Sequence, residues 1–321
     1  MFIPILLIIV GLGILIPGGE GLVKGSASIA KRLGVKPIVI GLTIVAFGTS
    51  APELIVNIFS ALKGTTDIAI GNIVGSNIAN ILLILGIAAM ITPLRVQKGT
   101  VWKEIPFALL GAVLVFVMGN DMLIDGKLFN EMTRSDGFTY LAFFIIFLYY
   151  TFGISQKNKD EQEGGEDIHT YGWNKSLSYT LAGIIGLFIG GKLLVDNAVI
   201  LAHIAGLSEA FIGLTIVAIG TSLPELVTSV IAALHKQDDI AIGNVVGSNI
   251  FNVFWILGIT STILPLPFNE MINVDLTVNV VTTMLLFAFM FIHTKHRINR
   301  WQGVMFLSLY IVYIAFVIMR G

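Results

Sequence analysis

Two acidic residues, Glu53 and Glu225, lie inside long apolar stretches and share one local sequence. Gly41 to Glu53 reads GLTIVAFGTSAPE, and Gly213 to Glu225 reads GLTIVAIGTSLPE. A second block, DIAIGNIVGSNIANI from Asp67 to Ile81, returns as DIAIGNVVGSNIFNV from Asp239 to Val253, and both blocks are displaced by the same 172 positions. Equal offsets mark one duplicated unit. A carboxylate in hydrocarbon is costly and by default marks a function. The Gly-Thr-Ser-X-Pro run beside each carboxylate predicts a helix break, where released carbonyls flanked by hydroxyls can face a cation.

The residue types in the two blocks suit a hard cation, which takes about six to eight oxygen ligands in the case of calcium. Glu53 and Glu225 bring charge. Thr49, Ser50, Thr221 and Ser222 bring hydroxyls or broken-helix carbonyls, and Ser76, Ser248, Asn80 and Asn252 bring neutral oxygens. Nothing soft is offered: there is no Cys, and His169, His203, His235, His293 and His296 fall at connections or span ends, which disfavours a transition-metal site. Thr49 and Glu53, Thr221 and Glu225, Ser76 and Asn80, and Ser248 and Asn252 are each four apart, so regular helices would put each pair on one face. Two ionised glutamates balance one divalent cation, and sodium, close to calcium in size, could use the same oxygens. Competition for shared ligands would give exchange. The blander reading treats Ser76, Ser248, Gly71, Gly75, Gly243 and Gly247 as small residues that let helices approach, and it fits the glycines best. Pro52 and Pro224, each directly before its Glu, are read as shaping the break.

The paired GTSAPE and GTSLPE motifs, each followed by a GSN block, resemble the two alpha repeats of the sodium/calcium exchanger family of cation antiporters, in its prokaryotic form. The resemblance extends over essentially the whole chain. It implies a secondary active antiporter that exchanges sodium for calcium by alternating access, not an enzyme. It further implies three sodium ions per calcium, net charge movement, and first and sixth spans that slide against a fixed core. Carried over by position, the family's site falls on the ten side chains above together with the backbone carbonyls of Ala46 and Ala218. One position departs: potassium-dependent and some prokaryotic members have Asp where this chain has Asn252, which argues against potassium co-transport and leaves two acidic ligands.

These residues need a membrane scaffold to position them. Hydrophobic residues make up 55% of the chain and charged residues 12%, with a mean hydropathy of +0.90, which is outside the soluble globular range. A net charge of -1 gives no footprint for nucleic acid. The expected fold is all-α and polytopic, with about ten transmembrane helices in two inverted five-helix repeats broken at the midplane. The expected spans are 2–23, 37–62, 67–92, 101–118 and 138–154, then 174–201, 211–234, 239–264, 273–292 and 302–319. The amino terminus lacks the pattern of a cleaved signal peptide and is expected to be a retained first span. The expected division is a first half at 1–154, a polar cytoplasmic linker at 155–173 without EF-hand spacing, and a second half at 174–321. Related animal exchangers carry a large regulatory insertion at that linker.

Basic residues sort by side. Lys24, Lys31, Arg32, Lys36, Arg95, Lys98, Lys103, Lys157, Lys159, Lys175, Lys236, Lys295, Arg297 and Arg300 gather in the connections of one face, against Lys63, Lys127, Arg134 and Arg320 on the other. The positive-inside rule then places the crowded face in the cytoplasm and both termini outside a cell membrane. The expected partners are calcium, sodium and the lipid bilayer, with no cofactor, no nucleic acid and no obligatory protein partner. A proton/calcium antiporter could use the same glutamates, and is the alternative. A passive channel fits the inverted duplication less well, and an intramembrane hydrolase lacks any Ser-His, HExxH or paired-Asp arrangement.

Overall fold

Apolar sequence dictates long helices here, because in hydrocarbon every backbone polar group must be satisfied within its own segment. The computed structural model describes residues 2–157, 170–204 and 218–320. The helices are α1 (Phe2–Leu33), α2 (Pro37–Thr49), α3 (Ala51–Leu62), α4 (Thr66–Ile91), α5 (Lys98–Gly119), α6 (Arg134–Lys157) and α7 (Trp173–Ile204), followed by α8 (Ala218–Thr221), α9 (Leu223–Leu234), α10 (Asp238–Ile263), α11 (Ile272–Phe289) and α12 (Arg300–Arg320). Among the described residues, eight are long and apolar enough to cross a membrane, and α2 with α3 forms a ninth span bent by 46°. The seventh expected span, 211–234, begins outside the described residues, which include only its later part, α8 and α9. Exposed Ile9, Leu12, Ile145, Tyr149, Ile311 and Val312 give the outer helices a lipid-facing surface. The chain is an integral membrane protein.

Four two-residue strands close the bundle at its ends. β1 (Leu94–Arg95) pairs antiparallel with β4 (Arg297–Ile298), and β2 (Glu131–Met132) with β3 (Leu266–Pro267), so each pair joins one half of the chain to the other. Side chains repeat the pattern. Gln97 Nε2 donates to Asp239 at 2.5 Å, and Asn269 Nδ2 donates to Asp67 at 3.3 Å. Gln97 and Asn269 are 172 apart, as are Asp67 and Asp239. The duplication therefore survives as two equivalent clasps.

The core is built around α10, where every residue from Ile240 to Ile250 is buried. Its glycines permit close approach: a Cβ on Gly243 would stand 2.9 Å from the Ile38 carbonyl, and one on Gly247 would stand 2.8 Å from the Ala46 Cβ. The packing expectation is met for these two glycines and not for their counterparts Gly71 and Gly75, where an added Cβ would meet nothing within 4 Å among the described residues. An aromatic layer, with Phe107 and Phe254 centroids 4.7 Å apart and Phe144 and Phe251 centroids 4.9 Å apart, fixes α5, α6 and α10 to one another. The pairing of α1 with α7 is of another kind. Backbone meets backbone there, and a Cβ on Gly183 would fall 2.4 Å from Leu22 N.

Several expected boundaries move. Helices α1 and α7 run 32 residues each, so Glu20 and Asp196 lie inside helices, paired to Lys24 at 2.7 Å and Lys192 at 2.8 Å. Helix α6 continues into the expected linker as far as Lys157, and residues 158–169 of that linker lie outside the described residues. Asp121, in the connection between α5 and α6, is buried and takes hydrogen bonds from Lys127 Nζ at 2.7 Å and the Glu131 amide at 3.3 Å.

Candidate ion-binding site

Each glutamate stands just beyond a break. Pro52 and Pro224 lack an N–H and crowd the preceding turn, so a helix cannot run through them undisturbed. The break falls on the residue before each new helix: Ser50 has φ -85 and ψ 5, and Ser222 has φ -87 and ψ 7. These values lie in the sparsely allowed bridge region between helix and strand, and both copies adopt them. Glu53 and Glu225 follow in the first turn of α3 and α9, where free backbone N–H groups and the helix dipole favour negative charge. The expectation that Thr49 and Glu53 share one helix face fails for this reason. The break assigns Thr49 to α2 and Glu53 to α3.

The amide-bearing helices are also irregular. Helix α4 widens into a π turn at Asn80–Leu85, and α10 does so at Phe251–Leu257, so Asn80 and Asn252 both sit where the regular ladder is interrupted. Such π turns recur at functional sites. A third, Gly41–Val45, lies just ahead of the Ser50 break.

Side chains from the two halves interlock around this point. Thr49 Oγ1 donates to Asn244 Oδ1 at 3.0 Å, and Thr221 Oγ1 donates to Asn72 Oδ1 at 3.4 Å. Asn80 Nδ2 donates to Asn249 Oδ1 at 2.8 Å, and Asn252 Nδ2 donates to Asn77 Oδ1 at 3.0 Å. Ser50 Oγ donates to Glu225 Oε1 at 3.0 Å, and Ser248 Oγ reaches the same oxygen at 3.5 Å. Ser222 Oγ instead donates to Ser76 Oγ at 3.3 Å. The Ala46 carbonyl accepts from the Ser50 amide at 3.0 Å and from Thr49 Oγ1 at 3.3 Å, while Ala218 opens α8. All of the ten expected side chains are buried except Thr221, which is half-buried.

Four residues escaped the sequence reading: Asn72, Asn77, Asn244 and Asn249. Each of them accepts a hydrogen bond from a side chain of the opposite half. Their recurrence at the 172-residue offset was the available signal, and it was absorbed into the glycine and serine pattern of the same blocks.

The network leaves several buried atoms unpaired, Asn72 Nδ2 and four of the expected ligand oxygens among them. Glu53 Oε2, Glu225 Oε2, Asn80 Oδ1 and Asn252 Oδ1 are buried and have no hydrogen-bond partner among the described residues. All four are acceptors, from two pairs of equivalent positions. A buried acceptor without a partner costs about 1–3 kcal/mol, and more when charged. A cation satisfies several such oxygens at once. Among the described residues no three His, Cys, Asp or Glu side chains cluster, so the donor set is two carboxylates supplemented by neutral oxygens.

The sequence profile of the family described as sodium/calcium exchanger protein matches residues 3–153 and 175–319. The chain is 37% identical to the putative antiporter CaxA of Alkalimonas amylolytica, with 98% of each chain covered. It is 35% identical to the sodium/calcium exchanger MaX1 of Methanosarcina acetivorans, with 97% of each covered. Its fold superposes on the sodium-calcium exchanger NCX_Mj, in crystals soaked with sodium and calcium, with a TM-score of 0.83 and 35% identity over 98% of each chain.

Proposed function

Since the chain belongs to the sodium/calcium exchanger family, we propose that it exchanges sodium for calcium across a cell membrane by alternating access, with net movement of charge. The observation that carries this reading is the set of four unpartnered buried oxygens, Glu53 Oε2, Glu225 Oε2, Asn80 Oδ1 and Asn252 Oδ1. Two carboxylates match the charge of one calcium ion, and the hydroxyls of Thr49, Ser50, Ser76, Thr221, Ser222 and Ser248, with the carbonyls of Ala46 and Ala218, offer more oxygens than the roughly six to eight that calcium takes. Sodium takes the same hard oxygens, so the two ions compete.

Coupling follows from who holds whom. The hydroxyls of Ser50 and Thr49 now point their protons at Glu225 and Asn244, across the halves. To ligate a cation they offer the lone pairs that those bonds leave free, so a bound ion shares its ligands with the contacts between halves. Ion occupancy therefore alters the same contacts that fix one half against the other, which is the differential interaction a conformational shift requires. Residues 1–154 and 174–321 would act as the two inverted halves joined by the segment 155–173, with the linker cytoplasmic and both termini outside on the distribution of Lys and Arg.

The test is radiocalcium uptake into sodium-loaded proteoliposomes. Uptake that requires an outward sodium gradient and quickens with a positive interior is the expected result. Uptake that ignores sodium and follows a pH gradient would overturn sodium coupling and assign the same glutamates to proton exchange.

A further inference from the structure

Asn57 lies one helical turn beyond Glu53 on α3, four residues on and so on the same face. It is completely buried, yet neither its Oδ1 nor its Nδ2 has a partner among the described residues. The equivalent place in the second half is differently furnished. There Ser229, 172 positions on, accepts from Asn244 Nδ2 at 2.9 Å, and that amide also reaches the Glu225 carbonyl at 3.3 Å. Asn72 is the counterpart of Asn244, but its Nδ2 is unpartnered. The acceptor that is consumed in the second half is thus available in the first.

We propose that Asn57 is a further ion-coordinating residue, whose Oδ1 joins the free Oε2 of Glu53 to hold sodium at a subsite the second half lacks. A neutral amide oxygen lends a ligand without adding charge. That suits a monovalent ion held beside a carboxylate already counted against calcium. Burial strips the subsite of bulk water, so an oxygen missing from the side chain is not readily replaced. The inference rests on the sodium coupling proposed above.

Thermal unfolding of the detergent-solubilised full chain, titrated separately with sodium and with calcium, reads binding without transport. Asn57→Ala is expected to weaken the apparent sodium affinity roughly tenfold, the effect of deleting one contact to a charged partner, while calcium affinity stays within about twofold. Asn57→Asp, which keeps Oδ1 and loses the amide N–H, is expected to retain sodium binding. Should Asn57→Ala fail to fold, Asn57→Leu, close in shape and without a side-chain oxygen, gives the same readout. Equal loss of sodium and calcium binding in Asn57→Ala, or loss of sodium binding in Asn57→Asp as well, would overturn the subsite in favour of a structural amide. Unchanged sodium affinity in Asn57→Ala would overturn it too. A wild-type chain that sodium does not stabilise would instead overturn the sodium coupling, and the subsite with it.

Discussion

Glu225 accepts hydrogen bonds from Ser50 at 3.0 Å and Ser248 at 3.5 Å, whereas among the described residues no side chain donates to Glu53, its counterpart 172 positions earlier. The neighbours differ in the same sense. Asn244 is tied to Ser229, and the equivalent Asn72 and Asn57 are not tied to each other. Side chains of both halves hold Glu225, while Glu53, equally buried, is held by no side chain among the described residues. Near-identical local sequences thus occupy unlike environments, and the difference comes from how the halves lie against each other. An alternating-access cycle would have the halves trade these environments.

The largest predicted effect removes the charges that the comparison turns on. Glu53→Gln and Glu225→Gln are each expected to cut calcium exchange by about two orders of magnitude or more, because each deletes half of the negative charge available to a divalent ion. Stability should separate them. Gln at 53 relieves a buried carboxylate that no side chain supports, so the melting temperature is expected to rise. At 225 the amide oxygen can still accept from Ser50, so little change is expected. Uptake and melting curves on the same preparations check both parts. Wild-type exchange in either variant would refute the two-carboxylate site, and equal melting shifts would refute the asymmetry.

A smaller effect is expected one residue before the helix that bears each Glu. Ser50→Ala removes a donor to a carboxylate, worth about 1.5–3 kcal/mol, but Ser222→Ala removes a neutral hydroxyl bond to Ser76, worth about 0.5–1.5 kcal/mol. Apparent calcium affinity in uptake assays should therefore fall more in Ser50→Ala. The reverse order would mean that the pairing of Ser50 with Glu225 is not what holds the site in this state.

Much of this site could be read from residue types and one repeated offset. Both glutamates, the Thr-Ser pairs, the Ser of each GSN block, and Asn80 and Asn252 are legible because duplication exposes what chance would blur. Three features were not legible, each for a physical reason. The separation of Thr49 from Glu53 depends on the backbone at Ser50 leaving the helix, so four-residue spacing misled. The π turns at Asn80–Leu85 and Phe251–Leu257 have no marker in residue type or spacing. The amide bridges Asn80 to Asn249 and Asn252 to Asn77 join residues far apart in the chain, which periodicity within one helix cannot show. The 32-residue lengths of α1 and α7 exceed the expected spans because Glu20 and Asp196, which interrupt the apolar runs, are each paired with a Lys one turn away.

The smallest predicted effect extends the comparison from the site to the two ends of the bundle. Gln97 grips Asp239 at 2.5 Å in a part-buried contact, and Asn269 grips Asp67 at 3.3 Å in an exposed one. Charge-assisted bonds weaken with length and with access to water, so equal chemistry should yield unequal restraint. Gln97→Ala is expected to destabilise the protein by about 1 kcal/mol, and Asn269→Ala by less than about 0.5 kcal/mol, near the usual scatter of surface changes. Melting curves in low and high salt make the distinction sharper, since only the exposed clasp should lose its remaining contribution as salt rises. If the proposed cycle trades environments between halves, an ion condition that favours the opposite state should also reverse the ranking, making Asn269→Ala the costlier change. A ranking that holds under every sodium and calcium condition would show that the clasps are fixed ends of the bundle and that the asymmetry is confined to the glutamates and their immediate neighbours.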